Sequence, residues 1–227
     1  MAKVDVVRLA RRAVAYEWGM WRSLARWVLR RPYPVAPGAE TFGYVGVVQP
    51  ILGVFIALSA IEIPVLDLIL RHTVGWPSVR HVAIGLGVWG VLWMVGLLAS
   101  LRIHPHVVDD TGLRLRNGVS LDVAIPWTAV ARVEARYRSL PSSRAVQYDA
   151  DDPAVLNLGV GSQTAVDVVL REPLSVRLPK GPSAPVREIR LYADDPKALV
   201  NRARRHLPPT DTAEDRSPGR PGSRPRR

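Results

Sequence analysis

The sequence predicts an α+β membrane protein. Its expected parts are an N-terminal amphipathic helix, a two-helix transmembrane hairpin, and a small antiparallel β-barrel of about seven strands capped by a C-terminal helix. Three observations predict it. Phe42–Ile61 and Val82–Leu101 are two charge-free runs of 20 residues, each long enough to cross a hydrocarbon core of about 30 Å at about 1.5 Å per helical residue. The residues before them repeat at the helical period. The residues after His104 alternate at a period of two. The chain has 227 residues, 48% of them hydrophobic, and no cysteine. Disulfides, thiolate metal sites and cysteine nucleophiles are therefore excluded.

Residues 1–41 read as a basic interfacial helix and a proline-rich linker. They carry 8 basic and 3 acidic residues, the largest share of a net charge of +11. Val7, Ala10, Val14, Trp18, Trp21, Leu24, Ala25 and Val28 fall on one helical face. Arg8, Arg11, Arg12, Arg22, Arg26 and Arg30 fall on another. Tryptophan beside arginine suits a headgroup layer, where the indole body is buried and its N–H stays wet. Packing of this helix on the cytoplasmic domain is the competing expectation. Pro32, Pro34 and Pro37 are expected to end it before the first span.

Residues 42–103 form the hairpin, with spans at about 42–61 and 82–101. Arginine is dense before the first span and after the second, so the positive-inside rule puts both termini in the cytoplasm. The 62–81 loop is then outside. The expected location is the inner (cytoplasmic) membrane, multi-pass and without a cleaved signal peptide. Pro50 is expected to kink the first span. Gly53 with Ala57, and Gly96 with Ser100, lie four apart, a spacing that lets helices approach closely or self-associate. Glu62 and Asp67 are candidate membrane-edge acids. At the outer end they reach water, and Asp67 and Arg71 can pair on one face.

Residues 104–207 alternate as strands do. Asn117-Gly118 between the Leu113–Leu115 and Val119–Ile125 runs signals a hairpin. Further strands are expected near 130–138, 154–160, 164–171, 174–179 and 186–193, with a long loop at 139–153 and a turn at Pro173. Asp195 caps a final helix with Pro196 at its first position. Residues 208–227 are expected to be a disordered tail.

The run Asp110-Thr111-Gly112-Leu113-Arg114-Leu115-Arg116-Asn117-Gly118, then Ile125-Pro126-Trp127, Val130 and Val133, resembles bacterial pleckstrin-homology-like domains. Such domains often follow a pair of transmembrane helices in small bacterial membrane proteins, and the arginine- and valine-rich composition looks like the actinobacterial examples. The resemblance implies a seven-stranded barrel with a capping helix, and no catalytic residues.

Other motifs carry little chemistry. Asp110-Thr111-Gly112 matches the aspartic-protease triplet, but that reaction needs two such carboxylates, and a turn accounts for it. His104, His106, Asp109 and Asp110 suggest a metal site, since His-x-His on a strand puts both rings on one face. No third ligand follows at a defined spacing, so the group reads as a polar linker and no metal is expected. Gly159-Val160-Gly161-Ser162 lacks the ending of a phosphate loop and reads as a hairpin turn. Arg114, Arg116, Arg132, Arg136 and Arg138 are placed outward on adjacent strands. They form either a face for anionic headgroups or a solvated face balanced by acids.

The sequence therefore points to a non-enzymatic, membrane-anchored binding or scaffold module that engages a protein or the anionic membrane surface. The alternative is an accessory subunit of a transport or envelope complex, packing through its hairpin. The expected partners are anionic lipids and a protein or a second copy of the chain. No cofactor, small-molecule substrate or nucleic acid is expected.

Overall fold

The structure is a computed structural model that describes residues 2–31, 33–73, 76–179 and 181–207. The tail at 208–227 lies outside the described residues. Helix α1 spans Ala2–Val28, α2 Gln49–Thr73, α3 Pro77–Ile103 and α4 Pro196–Arg204. Helices α2 and α3 are long and apolar enough to cross a membrane, and little of either is covered by protein. They pack against each other, and α1 packs against α3.

The first span starts later than its charge-free run. Glu40–Phe42 is a strand, β1, that pairs antiparallel with β2 (His106–Val108). Phe42, Tyr44 and Val45 are buried. The apolar residues at the start of the run thus fill the protein's own interior, and the helix begins at Gln49. It continues through Glu62 and Asp67, so the expected 62–81 loop shrinks to the few residues between Thr73 and Pro77. Pro50 sits in the first turn of α2, where its missing N–H is harmless. Pro64 lies inside the helix instead.

The domain after α3 is two packed sheets, not a closed barrel. The first sheet runs β1-β2-β3-β4, with β3 at Gly112–Asn117 and β4 at Leu121–Pro126. The second runs β5-β8-β11-β7-β6. Its strands are β5 (Val130–Ser139), β6 (Val146–Tyr148), β7 (Val155–Leu158), β8 (Gln163–Leu174) and β11 (Val186–Leu191). A short ribbon, β9 (Arg177–Leu178) with β10 (Gly181–Pro182), completes the strands. Strand β11 lies parallel to β7, so the sheet is not wholly antiparallel. The expected loop at 139–153 contains β6, and Pro173 falls near the end of the long β8 rather than in a turn.

Alternation explains the core. Leu121, Val123 and Ile125 of β4 point inward, and Asp122, Ala124 and Pro126 outward. They meet Val133, Val166, Val168, Leu156, Ile189 and Leu191 of the second sheet in one continuous cluster. Leu199, Val200 and Ala203 of α4 join that cluster. Asp195 caps α4 as expected, its Oδ1 accepting from Ala198 N at 2.9 Å. Strand β8 is buried on both faces over Thr164–Val168 because it is flanked by β5 and β11 and covered on each side.

Two hairpin turns point at the helix ends. In β3–β4, Asn117 pairs with Leu121, so the loop is Gly118–Ser120, and Gly118 has φ +53°. The Asn-Gly pair marks the hairpin but does not form a two-residue turn. In β7–β8 the expected turn is present: Gly161 at φ +58° and Ser162 at φ +59° sit between the bridged Val160 and Gln163. Two successive positive φ values are the signature of a type I′ turn.

Candidate membrane-interface site

The strongest convergence of sequence-predicted residues lies where α1, the end of α3 and the β3–β4 turn meet. Tyr44, just after β1, reaches across so that its hydroxyl accepts from Gly118 N at 2.7 Å. Val119 N donates to Ser100 Oγ at 3.2 Å. A Cβ at Gly118 would stand 2.8 Å from that same Ser100 Oγ. From the other side Gly19 of α1 faces Val119, where a Cβ would lie 3.2 Å from Val119 Cγ1. Met20 of α1 is fully buried against Gly96 of α3, at 3.2 Å from a Cβ placed there. The small residues Gly96 and Ser100 therefore admit α1 and the turn, not a second membrane helix.

A buried polar column stands behind this turn. His106 is fully enclosed. Its Nδ1 accepts from Arg116 N at 3.1 Å and its Nε2 donates to Tyr192 O at 3.0 Å. Both ring nitrogens are occupied only in the neutral Nε2–H form. Burial pushes its pKa down to about 4, helped by the nearby Arg116 charge. The ring lies 4.7 Å from that of Tyr44, whose phenol burial pushes upward in pKa. His104 is the residue that ends α3, its Nδ1 2.8 Å from Ser100 O, so the two histidines do not share a strand face. Among the described residues no three or more His, Cys, Asp or Glu side chains gather as metal ligands.

A third attachment joins the far end of the domain. Asp194, after β11, accepts from Gly46 N through Oδ1 at 2.8 Å, and its own N donates to Gly43 O at 2.8 Å. A Cβ at Gly43 or Gly46 would stand 2.7 Å from the Asp194 carboxylate. Gly161 in the β7–β8 turn meets Val47, with a Cβ there 2.9 Å from Val47 Cγ1. Glycines that read as part of a membrane span thus seat the sheet domain.

The predicted arginines do not form one face. Arg114 and Arg116 lie on β3 in the first sheet; Arg132, Arg136 and Arg138 lie on β5 in the second. Arg114 forms two hydrogen bonds to Asp122, each 2.6 Å. Arg116 is 3% exposed, not outward, because Tyr33 covers it: its guanidinium carbon lies 4.3 Å from the ring centre. Its Nε is 3.6 Å from Asp122, while Nε and Nη1 make no hydrogen bond. Arg132 pairs with Glu134 at 3.2 Å, and Arg138 with the buried Asp167 at 2.7 Å. Arg136 instead lines a shallow depression with Lys197, Arg204 and Glu134.

On α1, Arg11, Arg12 and Arg22 are exposed, and Arg26 is half-buried 5.9 Å from the centre of the Tyr33 ring. The side chain of Arg8 lies outside the described residues. Val7, Val14 and Trp18 form an exposed apolar stripe on the same helix. The packing expectation for α1 holds in part. Its second half packs on α3 and the β3–β4 turn, and its first half keeps an amphipathic face uncovered.

The two acids separate. Asp67 binds Arg80 of α3 and, at 3.0 Å, Arg71, clamping the end of the hairpin where α2 passes to α3. Glu62 makes no ion pair or hydrogen bond among the described residues. The Asp110-Thr111-Gly112 triplet is a turn. Asp109, the residue before it, accepts from Thr111 N at 2.8 Å and from Gly112 N at 3.1 Å. The Thr111 hydroxyl at 2.6 Å holds the Asp109 carboxyl below the ordinary carboxylate range. A Cβ at Gly112 would be 2.3 Å from Ile125 O, which accounts for the glycine. Sequence reasoning missed Tyr33, Tyr44 and Asp194, since nothing local marks a side chain whose partner is distant in the chain.

Comparison with protein-family models, curated proteins and solved structures finds no match for this chain.

Proposed function

We propose that the chain is a membrane-anchored, non-enzymatic binding or scaffold module with both termini on the cytoplasmic side. Its two-sheet domain is held at a fixed height beside an anionic leaflet and presents a surface to a protein partner. The observation that carries this reading is the triple attachment of the domain to the helix ends, through Tyr44–Gly118, Ser100–Val119 and Gly46–Asp194. A domain on a loose tether needs no such contacts. The uncovered stripe of Val7, Val14 and Trp18 beside Arg11, Arg12 and Arg22 supports a seat for α1 in the headgroup layer. Arginine density on this side supports the orientation.

The absence of native cysteine makes the test direct. Single cysteines at Ser78 and Ser120, in the full chain, are exposed to an impermeant maleimide in intact cells. Labelling at Ser78, with Ser120 reactive only after lysis, is the expected pattern; the reverse overturns the orientation. In vesicles, a cysteine at Val14 is expected to be protected by anionic lipid and released by salt. Equal protection in neutral and anionic vesicles removes the anionic-surface part of the reading.

A further inference from the structure

Glu62 is the charged group that the hairpin leaves unanswered. It lies five residues deeper than Asp67 on α2, about 8 Å farther into the bilayer at about 1.5 Å per residue. Its neighbour Ile63 packs on Gly87 of α3, within the charge-free Val82–Leu101 run. The later start of α2 therefore moves Glu62 from the water-accessible edge to the interior of the span.

Its surroundings form a site. Glu62, Ser59, Leu66, Gly87, Gly90 and Met94 line a groove of about 510 Å³ between α2 and α3. Gly90 has open space where a Cβ would be. Two residues away, Pro64 lacks the N–H that would bond the carbonyl of Ala60, so a backbone acceptor lies within one turn of the carboxylate. Both groups call for a donor. In hydrocarbon an unpaired carboxylate is costly and marks a contact or pathway. The protein's own nearby cations are committed: Arg71 and Arg80 to Asp67, and Arg102 over Trp27 at the cytoplasmic end. A second copy on this groove would bring carboxylate against carboxylate.

We infer that the α2–α3 groove receives a transmembrane helix of another protein bearing a lysine or arginine, with Glu62 as its counter-charge. The inference rests on the membrane reading above. The small residues Ser59, Gly87 and Gly90 let the incoming backbone approach closely, and the buried ion pair fixes its depth and register.

The full chain, labelled with a fluorescent donor at Ser78→Cys, is reconstituted in phosphatidylcholine–phosphatidylglycerol vesicles. The probe is an acceptor-labelled Leu/Ala-rich transmembrane peptide of about 24 residues, with a single Lys, Leu, Gln or Glu at the depth of Glu62. The Lys peptide is expected to associate about tenfold more tightly than the Leu peptide, a size within reach of polar contacts between membrane helices. Glu62→Gln, which keeps shape and removes charge, is expected to abolish that preference. Gly90→Leu, which fills the groove without touching Asp67, is expected to weaken the Lys peptide as well. Equal binding of Lys and Leu peptides, or an unchanged Lys preference in Glu62→Gln, overturns the inference. Glu62-dependent self-association without peptide also overturns it and assigns the groove to a second copy. Loss of the chain from alkali-washed vesicles overturns the membrane reading itself and is scored separately from peptide binding.

Discussion

Acidification below neutrality is expected to weaken the sheet domain through one residue, His106. Its imidazole is neutral and fully buried, with a pKa near 4 against an ordinary value of 6.5. Between those values the unfolded chain binds a proton at this position and the folded chain does not, so stability falls as pH falls. The contribution is complete above pH 6.5 and is lost progressively toward pH 4. At about 1.4 kcal/mol per pH unit, the loss amounts to about 3 kcal/mol, a large fraction of the ~5–15 kcal/mol that holds a domain together. The carboxylates Asp109, Asp122 and Asp149, all held below their ordinary range, add their own loss only at lower pH. His104, pulled down by burial, acts in the same window and must be separated. His106→Gln does so, because an amide can still accept from Arg116 N and donate to Tyr192 O without titrating. The assay is denaturant unfolding of the full chain in micelles at steps across this window, for both proteins. A slope shallower in His106→Gln, by about 3 kcal/mol across the whole window, is expected. Superimposable pH slopes would refute the assignment of a neutral, locked His106.

Gly118→Ala places a Cβ at φ +53° and 2.8 Å from Ser100 Oγ; a loss of about 1–3 kcal/mol and faster proteolysis between α3 and β3 are expected. Gly46→Ala sets a methyl 2.7 Å from the Asp194 carboxylate. Thermal melts are expected to show a smaller penalty in an Asp194→Ala background, where the clash is gone; equal penalties would refute the contact. Ile189→Ala, in the fully buried centre of the second sheet, is expected to cost about 2–5 kcal/mol in the same melts. Asp67→Asn releases Arg80 and Arg71, and the outer end of the hairpin is expected to become cleavable by protease added to intact vesicles.

The sequence disclosed element types better than partners. Periodicity and local turn and cap residues located α1, α4 with its Asp195 cap, and the β3–β4 hairpin, and charge-free run length revealed the two apolar helices but misplaced the ends of the first, because each signal depends on neighbours within a few residues. A charge-free run could not tell hydrocarbon from protein interior. Phe42, Tyr44 and Val45 are as apolar as the helix they precede, yet they are buried in the protein's own interior, Phe42 as the last residue of β1. Alternation placed Arg114 outward correctly. It failed for Arg116, since Tyr33, distant in the chain, lies over that guanidinium. The same limit hid the open architecture: the parallel pairing of β11 with β7 joins segments that β8 separates in the chain. At the junction of α1, α3 and the β3–β4 turn the arginines were visible, whereas the tyrosines and glycines that fix the geometry were not. Glu62 was visible as an acid, but its place near the middle of α2 followed only once that helix was seen to begin at Gln49.

Strand β1 has a consequence for the order of assembly. Phe42 lies opposite His106, with the entire helical hairpin between them in the chain. During synthesis from the N-terminus, β1 emerges long before its partner. Under the proposed membrane reading, it waits unpaired while both apolar helices leave the ribosome and insert. The first sheet closes only when the helices return the chain to the side where β1 was left. Insertion of one helix alone leaves β1 and β2 on opposite sides of the bilayer. The pairing therefore works as a proofreading step, completing the folded domain only for a chain whose two helices have crossed together.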